Sequence, residues 1–389
     1  MIARRTRPEE ADRVADLFAI AFQLPREQAP VKETEGIQHW AAFREDGAMM
    51  SALTLTDFSV HFDGRRARMA GVGAVSTLPQ YRGQGGIRSC FETCLPELYR
   101  KGYDFSYLYP FSTDFYRKFG YESCVSTLEV TVDLNRLRPG AFLGSFRLAE
   151  PENNFLWEIR MLDIEWNTRF NMAVLSRESD YGWAEHPDPA GTLTSTYVCF
   201  SPSGEPEAYA CFRTENQSDG RNLVCSRFHF LNANGFNGLL RLFQTMAYDH
   251  RYLKFSLPCG QGYEFWLSEW ASGALQLSLQ PRGMVRIIDA DRVLKKALCR
   301  GSGALILELR DPQIPENCGC RKITFADGAV CSTEPTDLSA DIRMDISAFS
   351  TLMAGAGNVR WMPGVEILRN REAIDQVFYR KPLMIEEYF

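Results

Sequence analysis

The spacing of apolar positions changes period several times along the chain. Val14, Leu17, Phe18, Ala21 and Phe22 fall at helical spacing behind Pro8-Glu9-Glu10, whose proline and carboxylates suit a helix start. Strand-like runs follow at 49–61 and 66–78, and Asp63-Gly64 between them predicts a hairpin turn. A second amphipathic helix carries Ile87, Cys90, Phe91, Cys94, Leu95 and Leu98 on one face. A short strand at 105–109 stops at Pro110, a short helix at 113–119 ends at Gly120, and a last strand covers 124–132. Strands interleaved with helices predict an α/β or α+β layer domain over residues 1–140.

Turn residues between 137 and 146 mark a boundary. Residues 141–282 repeat the order more weakly. A hairpin at 194–200 and 207–214 turns around Ser203-Gly204, and a strand at 253–257 ends at Pro258. Between them, a helix at 237–250 has Leu240, Phe243 and Ala247 on one face. Residues 283–389 form a third, α+β module. It has a strand at 284–289, a helix at 291–299, extended runs at 304–310 and 321–325, and short helices around 347–353 and 372–378.

A length of 389 residues agrees with two to three domains, and 45% apolar with 24% charged residues is a globular composition. No run approaches the roughly 18 consecutive apolar residues of a membrane span. No apolar core follows Arg4-Arg5, so no signal peptide and a cytoplasmic location are expected. The net charge of −6 argues against a sequence-independent nucleic-acid binder and suits a cationic or neutral small substrate. The 11 cysteines read as reduced thiols. Neither Cys90/Cys94 nor Cys318/Cys320 has the second half of a zinc site, the five histidines are far apart, and no metal is expected.

Chemistry concentrates in Val75-Ser76-Thr77-Leu78-Pro79-Gln80-Tyr81-Arg82-Gly83-Gln84-Gly85-Gly86-Ile87-Arg88. A strand runs out, a proline ends it, and an arginine-glycine loop opens an amphipathic helix. Glycines let the backbone curl around a ligand, and the helix N-terminus adds partial positive charge. With Arg82 and Arg88, the loop suits a pyrophosphate. It lacks the lysine-serine/threonine step of a Walker loop and the G-x-G-x-x-G spacing of a dinucleotide fold. An ordinary glycine-rich turn would account for the glycines taken alone.

The Arg-x-x-Gly core after strand and proline resembles the acyl-CoA loop of the GNAT N-acetyltransferases. Phe115-Tyr116-Arg117-Lys118-Phe119-Gly120-Tyr121-Glu122 resembles their F-Y-x-x-x-G-[FY] segment. The family's last small loop residue is Ile87 here, a position that is also bulky in the Eis-type subgroup. The whole chain is similar to that subgroup, which has tandem GNAT-like domains followed by a sterol-carrier-protein-like domain. Gly283 to Asp289 resembles the start of that last domain and Pro315-Glu316-Asn317 its central loop.

This resemblance implies an acetyl-CoA-dependent N-acetyltransferase acting on an aminoglycoside- or polyamine-like amine, assembled as a homohexamer. It implies that the backbone of Val75, Ser76 and Thr77 faces the thioester and pantetheine. Arg82, Gly83, Gln84, Gly85, Gly86, Ile87 and Arg88 would cradle the pyrophosphate, with Phe111 and Ser112 near the thiol. Tyr116 matches the general acid and the carboxylate of Phe389 the general base. By residue type alone Tyr116 is packing. The C-terminal run Met384-Ile385-Glu386-Glu387-Tyr388-Phe389 supplies apolar anchors and, with the terminus, three clustered carboxylates. Two alternatives stay open: a longer-chain acyl-CoA N-acyltransferase of tandem type, and a lipid-binding protein whose first domain is vestigial.

Overall fold

A computed structural model describes residues 1–29, 36–218, 220–267 and 273–387. They form two compact units. Met1–Val125, Arg282–Lys381 and the chain from Ile385 make the first, and Ser126–Pro281 with Pro382–Met384 make the second.

The N-terminal part of the first unit contains β1 (Ile2–Arg5), α1 (Ala11–Phe22), β2 (Ile37–Phe43), β3 (Met49–Phe62), β4 (Arg65–Thr77), α2 (Gly86–Arg100), β5 (Phe105–Leu108) and α3 (Thr113–Arg117). Strands β1 to β4 pair antiparallel in sequence order, and β5 lies parallel to β4 with α2 as the crossover. The β3–β4 turn has Asp63 at φ 49° and Gly64 at φ 77°, the left-handed pair of the predicted two-residue hairpin. All six apolar residues expected on the core face of α2 are buried. In α1, Val14, Ala15, Leu17 and Phe18 are buried, but Phe22 stays at the surface. β1 and β2 lie outside the elements that the sequence pattern predicts. Strand β1 has four residues, and five successive residues of β2 are buried, which removes the alternation that marks a strand.

The second unit takes over at Ser126, within β6 (Glu122–Asp133), and continues with β7 (Ser145–Leu148), α4 (Leu156–Asn167), α5 (Gly182–Glu185), α6 (Pro189–Thr192), β8 (Thr194–Phe200), β9 (Pro206–Gln217), β10 (Gly220–Phe230), α7 (Ala233–Gln244) and β11 (Tyr252–Pro258). It repeats the plan of the first. β8, β9 and β10 pair antiparallel, and β10 and β11 pair parallel around α7, as β4 and β5 do around α2. The Asn232 side chain accepts the Gly235 N–H at 2.8 Å and caps α7. That cap starts the helix at Ala233 rather than 237, and the helix ends at Gln244 rather than 250. No arginine-glycine loop precedes it. Trp166, Phe228, Phe230, Phe243 and Phe255 fill the core, joined by Met384.

β12 (Leu275–Ile287) leaves the second unit and enters the first at Arg282, and the C-terminal part continues with α8 (Ala290–Lys296), β13 (Gly303–Arg310), β14 (Gly319–Ala326), β15 (Ala329–Pro335), β16 (Ile342–Asp345), α9 (Ile346–Ala354), β17 (Val365–Ile367) and α10 (Arg371–Val377). Five of the strands form a sheet in the order β15-β14-β13-β16-β17. β12 begins at Leu275 rather than 284, and its last four residues pair antiparallel with β5. Within the first unit, the Lys296 ammonium donates to Asp104 and that of Lys381 to Asp63. Among the described residues no helix is long and apolar enough to cross a membrane.

Candidate active site

Two irregularities of β4 open the site. Ala52 pairs with Ser76 but Thr54 with Gly73, so two residues of β4 stand opposite Leu53. This bulge places Ala74 at φ 49°, a left-handed conformation that a residue with a Cβ adopts only under local constraint. On the other side, β4 and β5 pair from Met69–Phe105 only as far as Val72–Leu108. Beyond Val72 the strands part, and alternate N–H groups of Gly73–Thr77 face the gap rather than a ladder partner.

A cavity of about 540 Å³ lies there. Val75, Ser76 and Thr77 line it from β4, and Tyr81, Arg82, Gly83, Gly85, Gly86, Ile87 and Arg88 from the loop and first turn of α2. Ala21 and Phe22 close it from α1, and Phe111, Phe115, Lys118 and Phe119 from the segment around α3.

Gly83 and Gly85 sit at φ 79° and 84°, where glycine costs least. Gly85 is the N-cap of α2, and the first amide satisfied within that helix is Ser89, bonded to the Gly85 carbonyl at 3.0 Å. The N–H groups of Gly86, Ile87 and Arg88 are therefore open to an anion. Gly86 is essential for another reason: a Cβ there would lie 2.3 Å from the Ser51 hydroxyl, so α2 rests directly on β3. Arg82, Arg88 and Lys118 are exposed, and among the described residues none of them forms an ion pair. Three uncommitted cations around open helix amides make an electropositive pocket.

The structure thus gathers ten of the expected loop and strand residues around one cavity. Gln84 and Ser112 do not line it; the Gln84 amide donates to the Gln80 carbonyl at 3.2 Å, and Ser112 precedes α3. Tyr116 does not line it either. Its ring is 2% exposed and packs edge-on against Phe111 at 5.2 Å and Phe115 at 5.1 Å. Burial pushes its pKa up, so the phenol stays protonated, and the hydroxyl makes no hydrogen bond to a described residue. Phe389 lies outside the described residues. Two residues earlier, the Glu387 carbonyl accepts a hydrogen bond from the Tyr109 hydroxyl at 2.5 Å, one residue past the end of β5.

Sequence reasoning missed Ala21, Phe22, Tyr81, Phe115, Lys118 and Phe119 as lining residues. Lys118 carried a legible signal, a cation within the Phe-Tyr-x-x-x-Gly segment. Phe22 did not, because its spacing assigns it to the core face of α1.

Comparison with known proteins agrees with this architecture. Residues 3–124 match the acetyltransferase (GNAT) domain family and residues 291–384 the sterol carrier protein domain family. No curated protein matches the chain. A conserved protein of unknown function from Enterococcus faecalis superposes with a TM-score of 0.86 at 20% identity, covering 100% of this chain and 99% of its own. A GCN5-related N-acetyltransferase from Anabaena variabilis superposes with a TM-score of 0.86 at 17% identity, covering 100% of both chains. Eis1 from Mycobacterium abscessus gives 0.78 at 16%, covering 100% of this chain and 99% of its own. At these identities the likeness is one of fold.

Proposed function

For this acetyltransferase of the GNAT type, which ends in a sterol carrier protein domain, we propose acetyl transfer from acetyl-CoA to the amine of a cationic small molecule of aminoglycoside or polyamine type. The observation that carries the reading is the cavity where β4 and β5 part. It joins open strand amides at Val75–Thr77 to open helix amides at Gly86–Arg88. The helix amides with Arg82, Arg88 and Lys118 take the pyrophosphate, and the strand takes the pantetheine arm.

In this reading the amine attacks the thioester carbonyl directly. Strand N–H groups beside the bulge stabilise the developing oxyanion. The amine loses its proton to the C-terminal carboxylate of Phe389, and the departing thiolate gains one from Tyr116. Tyr116 enters this reading through its place in the Phe-Tyr-x-x-x-Gly segment, and the Tyr109 anchor on Glu387 supports a tail held beside the strand gap. A homohexamer belongs to the same reading, and light scattering would measure its mass.

The test has two parts. Calorimetric titration with CoA should give saturable binding, and an amine panel should release free thiol from acetyl-CoA. Mass spectrometry of the product should show a gain of one acetyl group. A longer acyl group would favour a long-chain donor, and absence of CoA binding would overturn the reading.

A further inference from the structure

Arg286 is wholly buried near the end of β12, opposite Ser106 of β5. Its Nη2 donates to both oxygens of Asp311 at 2.8 Å, and its Nη1 donates to the Phe119 carbonyl at 2.7 Å. Asp311 is itself held in place. It accepts the backbone N–H groups of Gln313 at 3.0 Å and Ile314 at 3.2 Å, and the Asn317 amide at 2.9 Å. Asn317 in turn accepts from the Ala290 N–H and donates to the Ile288 carbonyl, each at 2.9 Å. The guanidinium is thus fixed by the C-terminal module before it reaches Phe119, and its planar fork serves both partners at once.

Phe119 ends the turn that carries Tyr116, its N–H donating to the Tyr116 carbonyl at 2.9 Å. Helix α3 has only five residues, too few to persist without an external anchor. The adjoining Gly120 fits this arrangement, because a Cβ there would lie 1.8 Å from Arg286 Nη1. The motif glycine thus leaves room for an arginine from the other end of the chain.

We propose that Arg286 is a positioning residue for acyl transfer: held by Asp311 and Asn317, it sets the end of α3 and so the placement of Tyr116, Phe115 and Phe119. The inference rests on the reading of Tyr116 as general acid. It gives the sterol carrier domain a role in the chemistry that requires no lipid.

Arg286→Lys tests it, since a lysine keeps the charge but cannot span Asp311 and the Phe119 carbonyl together. The expected result is a folded enzyme with a kcat lowered about tenfold or more and a CoA Kd that changes severalfold less than kcat. Because the arginine acts through Tyr116, Arg286→Lys combined with Tyr116→Phe should be no slower than Tyr116→Phe alone. Wild-type kcat in Arg286→Lys, or losses that multiply in the double variant, would overturn the inference. If Tyr116→Phe itself turns over at the wild-type rate, the acid assignment falls and the inference with it. If Arg286→Lys does not fold, hydrogen exchange on the unsubstituted enzyme decides. The amides of Phe119, Gly120 and Tyr121 should open together with the 311–317 loop, and opening ahead of that loop would count against the anchor.

Discussion

A methyl group at Gly86 would lie 2.3 Å from the Ser51 hydroxyl and 3.0 Å from its Cβ. Gly86→Ala should therefore lift the start of α2 from β3, costing about 1–3 kcal/mol in urea unfolding and weakening CoA binding. Adding Ser51→Ala should recover part of both losses, because it deletes the nearer atom. Lys118 contributes charge rather than shape. Lys118→Ala should raise the acetyl-CoA Kd about tenfold, the loss of one charged hydrogen bond, and flatten its salt dependence. Steady unfolding behaviour would accompany it, since the side chain is exposed. Tyr116→Phe keeps the packed ring and removes the proton. Turnover should fall roughly 10²–10⁴-fold with the CoA Kd unchanged in titration.

Among the elements, β1 is joined to the first turn before α1 by a bidentate pair, Arg4 to Glu10, at 2.7 Å. Glu10 also accepts the Arg7 N–H at 2.9 Å. The Arg4 hydrogen bonds, aided by that N–H, lower the Glu10 pKa from 4.5 to about 2. A carboxylate depressed on folding stabilises above its unfolded pKa and loses that contribution as pH falls through its folded value. The melting-temperature difference between wild type and Glu10→Gln should be constant above pH 4.5 and shrink towards pH 2. A constant difference throughout would mean that the pair adds nothing. The long hairpin and α2 were legible because Asp63-Gly64 and an unbroken 3.6-residue stripe are local signals. β2 was not, since a strand buried on both faces loses its period.

For the whole chain, the decisive test concerns its end. The Tyr109 hydroxyl donates to the Glu387 carbonyl at 2.5 Å, and the proposed base, the carboxylate of Phe389, follows two residues later in the sequence. Amidating the terminus or extending it with a short tag should leave CoA binding and the melting temperature unchanged while acetyl transfer falls steeply. The control is an N-terminally tagged enzyme at matched concentration and oligomeric state. Equal turnover in the two would remove Phe389 from the mechanism.

The arginine-glycine loop and the Phe-Tyr-x-x-x-Gly segment were readable from the chain because each is a short run whose residue types act through their own backbone. Glycines at positive φ, an open helix N-terminus and nearby arginines need no distant partner to be recognised. The repeat of the first domain's order in the second was readable for a similar reason, as hairpin turns and apolar stripes are local. Only the tertiary structure could decide that β4 and β5 part after Val72, because strand pairing depends on register between segments far apart in sequence. It also decided that Phe22 faces the cavity, and that Gly120 makes room for Arg286, 166 positions further along the chain (286 minus 120). Those placements follow from close packing, in which the space open to one side chain is set by atoms the local sequence does not contain.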